Sequence, residues 1–250
     1  LWLRRSLLIF PDQHLSTKEQ IKFAKLFGVM EFDLAPISNV RSDGSIRDPV
    51  DDDVVKSLRG NMEWHHDSTY MPIQAKGSVF TAHQVPEEGG ETGWADMTAA
   101  YKALDPKMKD KIEGLSAYHS YVYSQAKYKH KPQEESEFSG YGFDVDPHPF
   151  RPLVKTHPET GRKSLLIGRH AYGIPGMSKK DSKALLDELN DFACQGDRVY
   201  HHSWTPGDAV IWDNRNLMHQ ASPWDLNEAR VMYHSRIQGD ASSESGLNYL

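Results

Sequence analysis

The sequence predicts a mainly β fold with flanking helices, a double-stranded β-helix of the jelly-roll, cupin-like kind. Short runs rich in β-branched and aromatic residues recur along the chain between Gly, Pro and Asp turn signals. Only a few segments have the spacing of amphipathic helices. The chain has 250 residues, of which 38% are hydrophobic. Such a chain buries a substantial core, so we expect residues 1–250 to form a single domain.

The N-terminal part of the chain begins with a short buried strand at Leu7–Phe10. Ser16 and Glu19 then form a capping-box pattern that opens a helix, and Gly28 ends that helix. Residues 39–61 are polar and rich in Asp, so we interpret them as a long surface loop.

The next elements are two strands and two helices. Strands are predicted at Trp64–Tyr70 and Ser78–Val85, and a short helix at Met97–Leu104. Asp105 and Pro106 supply an N-cap and a first-turn proline for a second helix.

The C-terminal half contains a candidate lid and a hairpin. Residues 124–147 are charged, contain glycine and are weakly periodic, which favours a lid loop over a domain linker. Residues 152–157 and 163–168 flank a Pro-Glu-Thr-Gly turn and predict a hairpin. A long amphipathic helix begins at Ser178. The remaining predicted strands are Val199–Trp204, Ala209–Trp212 and Arg230–Ile237.

Composition narrows the classes of partner. The net charge of −6 and pI near 6.1 argue against a nucleic-acid or anionic-membrane partner. No apolar run is long enough to span a bilayer. The single cysteine, Cys194, excludes an intramolecular disulfide and a cysteine-based zinc cluster, so we expect a cytoplasmic protein. A homo-oligomer is possible, and because the chain begins without Met we expect an N-terminal segment to be missing.

A candidate metal site lies in the Trp64-His65-His66-Asp67 stretch. On a strand, His65 and Asp67 would point to the same face because they are two residues apart. The best third ligand is His219, which follows the strand ending at Trp212. Two histidines and one carboxylate on one face of a metal are the ligand set of non-haem Fe(II) oxygenases. Since the chain has 13 histidines, a His-x-Asp triplet also arises easily by chance.

Two further residues favour a site for a dicarboxylic cosubstrate. Arg230 lies at the start of the last predicted strand, where its guanidinium can hold a carboxylate with two parallel hydrogen bonds. Thr92, beyond a Gly-Gly loop, can donate its hydroxyl to the same carboxylate. Together with the metal ligands, these residues describe a site for 2-oxoglutarate.

Several motifs resemble the taurine dioxygenase/2,4-dichlorophenoxyacetate dioxygenase family (TauD/TfdA family) of Fe(II)/2-oxoglutarate enzymes, from about Ser6 to Gly239. The motifs are Trp-His-His-Asp-Ser-Thr-Tyr at 64–70, Gly-Gly-Glu-Thr at 89–92 with Ala-Asp-Met at 95–97, Thr-His-Pro-Glu-Thr-Gly-Arg-Lys-Ser at 156–164, and Gly-Asp at 207–208 followed by Trp-Asp-Asn-Arg at 212–215 and His219.

The resemblance implies roles for individual residues. It makes His65, Asp67 and His219 the iron ligands, and it places Thr92 and Arg230 on the far carboxylate of 2-oxoglutarate. It further implies that Asn61 lines the active site and that His170 contacts the substrate, since these two match such positions in the family.

The activity implied is hydroxylation of a small organic acid by O₂, with Fe(II) as cofactor and 2-oxoglutarate as cosubstrate, releasing succinate and CO₂. If the hydroxylated carbon carries an ether oxygen, as in an aryloxyalkanoate, the product collapses and the ether bond breaks.

Two departures concern the substrate. At the positions that grip the sulfonate in the taurine enzyme, this chain has Asp33 and His234. An aspartate opposes anion binding, and a histidine is cationic only when protonated. Arg236 shares a predicted strand face with His234 and offers a replacement charge. Taurine is therefore not the expected substrate, and the motifs are closer to the phenoxyacetate-cleaving branch.

Two other functions compete with the dioxygenase. A Zn²⁺-dependent hydrolase could use the same three ligands, with Glu63 as general base, but it leaves Arg230 and Thr92 without a role. A non-catalytic jelly-roll binding protein is disfavoured by the intact triad, because buried ligands without a metal are costly to desolvate.

Overall fold

The computed structural model describes residues 1–131, 137 and 140–250. The strands are, in chain order, β1 (Leu7–Phe10), β2 (Met30–Ser38), β3 (Gly77–Gln84), β4 (Thr92–Asp96), β5 (Ser116–His119), β6 (Phe150–Pro152), β7 (Val154–Thr156), β8 (Lys163–Leu165), β9 (Ala171–Tyr172), β10 (Val199–His202), β11 (Ala209–Asp213), β12 (Leu217–Ala221) and β13 (Val231–Ile237). The helices are α1 (Trp2–Arg5), α2 (Thr17–Ala24), α3 (Asp53–Gly60), α4 (Met97–Ala103), α5 (Pro106–Ile112), α6 (Tyr121–Ala126), α7 (Lys179–Ala193) and α8 (Ala241–Glu244).

Two antiparallel sheets form the centre of the fold. The larger has the order β1-β11-β3-β13-β2, and the smaller has the order β10-β4-β12. Phe80 and Trp212 of the larger sheet and Trp94 and Leu217 of the smaller sheet pack in one buried cluster. Because one apolar cluster draws side chains from both sheets, they face each other as the two layers of a jelly roll. The predicted fold class is confirmed.

The flanking helices cover a second buried cluster. Met97 and Ala100 of α4 pack with Leu185 and Leu189 of α7, and Leu165 of β8 completes the contact. Each of these residues is at least nine-tenths buried, so the cluster stabilises the helices as an outer layer of the domain.

Local signals identified many of the elements. The Ser16 side chain accepts from the Glu19 N–H, and the Glu19 carboxylate accepts from the Ser16 N–H, which confirms the capping box of α2. Asp105 caps α5, and Ser178 caps α7, as predicted. The predicted hairpin forms as β7 and β8.

The prediction that residues 39–61 form a surface loop is wrong at its C-terminal end, where α3 forms. The Asp52 side chain accepts from the backbone N–H groups of Val54 and Val55 and so caps the helix. Val55 and Leu58 are buried beneath it. These two residues, three apart, carry the apolar period of the helix, and the acidic residues around them obscure it.

The predicted strand at 64–70 is also wrong. Only His65 pairs with another strand, in an isolated bridge to His219. The chain then turns, and Ser68 has a positive φ of 54°. A strand continuing past His65 would carry Asp67 away from that bridge.

Strand β2 forms although the sequence did not predict it. Its half-buried residues do not alternate and it contains Pro36, so the strand signal is weak.

The candidate lid, residues 124–147, is described only in part. Residues 124–126 form the end of α6, and Tyr141 lines the cavity discussed below. Residues 132–136 and 138–139 of this segment lie outside the described residues. The lid therefore stays a prediction. Within the described ranges, no helix is long and apolar enough to cross a membrane.

Arg151 ties distant segments to one another in the interior. Its Nε donates to the carbonyl of Thr69 at 2.6 Å, and its two terminal nitrogens donate to the carbonyls of Met71 and Glu244 at 2.7 and 2.8 Å. Burial lowers its pKa to about 10, which leaves it cationic at neutral pH. The segment after the turn at Ser68 is thus held by one charged side chain.

We expect Arg151→Met to lower the free energy of unfolding by about 3 kcal/mol or more, because three carbonyls, two of them in buried contacts, lose charge-assisted hydrogen bonds. Urea unfolding followed by circular dichroism measures this loss. Arg4→Met is the control, since Arg4 is exposed and surface changes stay within about 0.5 kcal/mol. Equal unfolding midpoints for the two variants would contradict the role of Arg151.

Candidate metal centre

The side chains of His65, Asp67 and His219 meet in a cavity of about 550 Å³ that both sheets line. Their ligand atoms all lie within 4.8 Å of one another, and all three residues are buried. His65 and His219 lie side by side because the N–H of each donates to the carbonyl of the other, at 3.0 and 2.8 Å. Among the described residues, no other three His, Cys, Asp or Glu side chains come close enough together to hold a metal ion.

The two imidazoles are neutral and therefore fit as metal ligands. His65 Nδ1 lies 2.7 Å from the carbonyl of Glu63, and since a carbonyl only accepts, the proton is on Nδ1 and Nε2 keeps its lone pair. Burial, followed by His219 and Arg169, holds the pKa of His65 well below its usual range. Burial lowers the pKa of His219 to about 4.

Asp67 is held as a carboxylate. Burial opposes its ionisation, but the positive charge of Arg236 outweighs that effect and keeps the pKa of Asp67 far below its ordinary value. Arg236 Nη2 donates to Oδ1 at 3.1 Å, and Ser78 Oγ donates to Oδ2 at 3.0 Å. One anionic oxygen ligand with two neutral nitrogen ligands is a donor set that binds Fe(II) or Zn²⁺.

Arg230 carries a buried positive charge into the same cavity. Its Nε donates to the carbonyl of Gly90 at 3.1 Å, its guanidinium lies 5.1 Å from the Trp224 ring centroid, and its Nη2 has no hydrogen-bond partner among the described groups. Burial lowers its pKa to about 10, so it stays cationic at neutral pH. A Cβ at Gly90 (φ +69°) would lie 3.2 Å from Arg230 Nε, so glycine permits this close approach.

Thr92 lines the cavity from the start of β4. The indole N–H of Trp204 donates to its hydroxyl oxygen at 2.9 Å. Because that contact uses an oxygen lone pair, the hydroxyl hydrogen remains available to donate into the cavity. Thr92 and Arg230 thus both offer hydrogen-bond donors to the same cavity.

The substrate positions expected from sequence also line the cavity, with one correction. Asn61, His170 and His234 all contribute to its wall. Asp33 does not, because it faces outward, half exposed, in an ion pair with Lys25 at 3.0 Å. The residue before it on β2, Phe32, faces the cavity instead.

Arg169 is a site residue that the sequence did not indicate. It lines the cavity, its guanidinium carbon lies 5.7 Å from the Tyr121 ring centroid, and its Nη1 is buried without a hydrogen-bond partner in the described part of the chain. No spacing rule marks a lone arginine, although it directly precedes His170. Its place depends on a tertiary contact, in which its backbone N–H donates to the carbonyl of Trp64 at 3.0 Å.

Comparison with known families identifies the chain. The profile of the family described as "Taurine catabolism dioxygenase TauD, TfdA family" matches residues 1–236. The chain belongs to this family of dioxygenases.

Individual members of the TauD/TfdA family share most of the chain. A protein of Sphingobium herbicidovorans named (S)-phenoxypropionate/alpha-ketoglutarate-dioxygenase is 60% identical over 98% of this chain and 86% of its own length. The alpha-ketoglutarate-dependent 2,4-dichlorophenoxyacetate dioxygenase of Cupriavidus pinatubonensis is 34% identical over 95% of this chain and 86% of its own. Among solved structures, AAD-2 in complex with Mn(II) and N-oxalylglycine superposes with a TM-score of 0.88 at 35% identity, over 98% of this chain and 87% of that one.

Glu63 is not positioned to act as the general base that the alternative hydrolase requires. Its carboxylate accepts from Lys127 Nζ at 2.8 Å and from the Tyr128 hydroxyl at 2.6 Å. Glu63 lines a separate surface groove and not the cavity of the metal ligands. This TauD/TfdA family member therefore has no general base from Glu63 beside the triad.

The metal centre predicts binding of a divalent cation that depends on His219. Replacement of His219 by Ala should weaken Mn(II) binding by more than the roughly 10–100-fold that follows loss of an outer-shell partner, because a direct ligand is lost. Electron paramagnetic resonance of free Mn(II) measures the affinity. His83→Ala is the control, since His83 is exposed on β3 and outside the cavity, and it should bind like the wild type. Wild-type affinity in the His219 variant would refute the ligand assignment.

Proposed function

We propose that this protein is an Fe(II)- and 2-oxoglutarate-dependent dioxygenase that hydroxylates the carbon next to the ether oxygen of a 2-aryloxyalkanoic acid. One atom of O₂ enters that carbon and the other enters succinate, with release of CO₂. The hydroxylated product then breaks its ether bond to give a phenol and a 2-oxo acid. The relatives named for (S)-phenoxypropionate support this substrate class.

The observation that carries the proposal is a pair of cations beside the triad. Arg47, Arg169, Arg230 and Arg236 all line the cavity. Arg47 and Arg236 are in ion pairs with carboxylates, whereas Arg169 and Arg230 are in none with any described residue. Arg230 is buried and Arg169 is half-buried, and a guanidinium removed from water without an ion pair is costly, so these two groups favour binding of two anions. A keto diacid and an acidic substrate supply those anions.

Arg230 and Thr92 would hold the far carboxylate of 2-oxoglutarate. The guanidinium provides the charge and the threonine hydroxyl a further donor, while Trp204 keeps that hydroxyl oriented. His65, Asp67 and His219 would hold the iron. Bound Fe(II) would supply open coordination positions for the keto acid and O₂, together with the redox chemistry.

The substrate would lie between Arg169 and an apolar wall. The wall is built mainly from β2 and α3 and consists of Phe32, Leu34, Ile37, Val54 and Leu58. Arg169 would take the substrate carboxylate, and the wall would take the aryl ring and exclude water from the reacting carbon. Asn61, His170 and His234 are further substrate contacts in this proposal. A reducing cytoplasm is the proposed setting, because Fe(II) must stay reduced, and a homo-oligomer stays a prediction.

The direct test is anaerobic titration of the metal-free protein with Fe(II) and then 2-oxoglutarate, followed by addition of O₂ and (S)-2-phenoxypropionate. We expect a visible charge-transfer band only after both additions, and then phenol and succinate in equal amounts. Tight Zn²⁺ binding with no band and no succinate would overturn the proposal. A band with succinate but no phenol from any aryloxy acid would retain the cosubstrate and reject the substrate class.

Arg230→Gln should raise the KM for 2-oxoglutarate by about 100-fold, because loss of one partner of a buried charge pair costs about 2–5 kcal/mol. Arg230→Lys keeps the charge but not the two parallel hydrogen bonds, so the KM for 2-oxoglutarate should rise less in this variant than in Arg230→Gln. Succinate formation at varied 2-oxoglutarate concentration measures both. An unchanged KM for 2-oxoglutarate in the glutamine variant would show that Arg230 does not bind the cosubstrate.

Arg169→Met should raise the KM for the aryloxy acid by about 10-fold or more while leaving substrate-free decarboxylation of 2-oxoglutarate unchanged. Phenol release measures the first and succinate the second. The carboxamide of the same compound provides a matched probe, because it carries no charge and should be used equally by both proteins. If the KM of the variant rises as much for the carboxamide as for the acid, Arg169 does not bind the substrate carboxylate.

A further inference from the structure

Asp67 is a predicted metal ligand outside regular secondary structure. His65, two residues earlier, is anchored by its bridge to His219, but no strand pairing continues past it. Ser68, the next residue after Asp67, has a φ of 54°, in the left-handed region. The backbone of Asp67 therefore needs hydrogen-bond partners other than a strand, since both residues are buried.

The side-chain amide of Asn214 supplies those partners. Its Oδ1 accepts from the backbone N–H of Asp67 at 2.8 Å, and its Nδ2 donates to the backbone carbonyl of Asp67 at 2.9 Å. The same Nδ2 donates to the carbonyl of Ala75 at 2.8 Å. One side chain thus makes the paired donor and acceptor contacts that a neighbouring strand would make to Asp67.

The backbone of Asn214 is fixed as firmly as its side chain. Its N–H donates to the carbonyl of Lys76 at 3.0 Å, and its carbonyl accepts from His66 Nδ1 at 2.7 Å. Asn214 lies in the turn between β11 and β12, and β12 carries His219. The residue therefore connects the turn that carries Asp67 to the strand that carries the third ligand.

We propose that Asn214 is a positioning residue of the metal centre, which clamps the backbone of Asp67 and sets the triad before the metal binds. The inference rests on the metal site of the proposed function. Without the clamp, the turn would have to be ordered at the moment of metal binding, which weakens affinity. Outer-shell partners of metal ligands typically affect metal affinity by about 10–100-fold, and we expect Asn214→Ala to lie in that range.

Asn216 provides a matched control on the same turn. It is as buried as Asn214, its Oδ1 accepts from Thr98 Oγ1 at 3.3 Å, and its Nδ2 donates to Ser6 Oγ at 3.2 Å. It has no hydrogen bond to Asp67 in the described structure. Asn216→Ala therefore removes an equally buried amide while leaving the ligand turn intact.

The experiment measures Mn(II) affinity by electron paramagnetic resonance for the wild-type full chain, Asn214→Ala and Asn216→Ala, with thermal unfolding of each metal-free protein. The expected result is a 10–100-fold weaker affinity for the Asn214 variant and near wild-type affinity for the Asn216 variant at comparable stability. Wild-type affinity in the Asn214 variant, or equal losses in both variants, would overturn the proposal. Absence of Mn(II) binding by the wild type would instead defeat the metal site itself.

If the Asn214 variant does not fold, amide hydrogen exchange of the metal-free wild type tests whether the Asp67 backbone is ordered before the metal binds. We expect the Asp67 amide to exchange as slowly as that of Ile211 in β11, because its hydrogen bond to Asn214 is already formed. Exchange of the Asp67 amide at the rate of an unprotected turn would show that no clamp precedes the metal and would overturn the inference.

Discussion

The pair of backbone hydrogen bonds between His65 and His219 is the constraint on which the site depends. These bonds, at 3.0 and 2.8 Å, bring two ligands that are far apart in sequence onto adjacent backbone. His219 is a residue of β12, and β12 pairs with β4 so that Ala221 lies opposite Thr92. The smaller sheet therefore sets the spacing between the proposed metal ligands and the threonine proposed to hold 2-oxoglutarate. Local displacement of β12 would disturb both functions together.

The charges of the cavity divide into those that build the site and those left for ligands. Arg236 donates to the Asp67 carboxylate, and Glu31 lies close enough to raise the pKa of Arg236 further, although burial opposes that rise. Its charge is thus shared between two carboxylates of the protein. Arg169 and Arg230 are in no ion pair with a described carboxylate, and one terminal nitrogen of each has no hydrogen-bond partner among the described groups. The demand for a bound anion is therefore greatest at Arg169 and Arg230, which lie near different aromatic rings of the wall, Tyr121 and Phe80.

Sequence reasoning succeeded where local chemistry decides the structure and failed where tertiary contacts decide it. Helix caps such as Ser178 and Asp105 were predicted because their signals lie within four residues. His65, Asp67 and His219 were correctly expected to converge, but the reason given, strand alternation, was wrong. Arg169 and the clamp at Asn214 could not be predicted, because each depends on a contact between segments distant in sequence.

The failure of strand alternation has a geometric reason. Residues two apart on a strand are separated by about 6.6 Å along it, so alternation places their side chains on one face but does not by itself bring their ends together. The ligand atoms here lie within 4.8 Å of one another, and the chain curls away from the strand direction after His65. The positive φ of Ser68 follows that curl directly, and the curl removes the Asp67 backbone from any strand. In this turn the side-chain amide of Asn214 satisfies that backbone, and it can do so because an amide both donates and accepts.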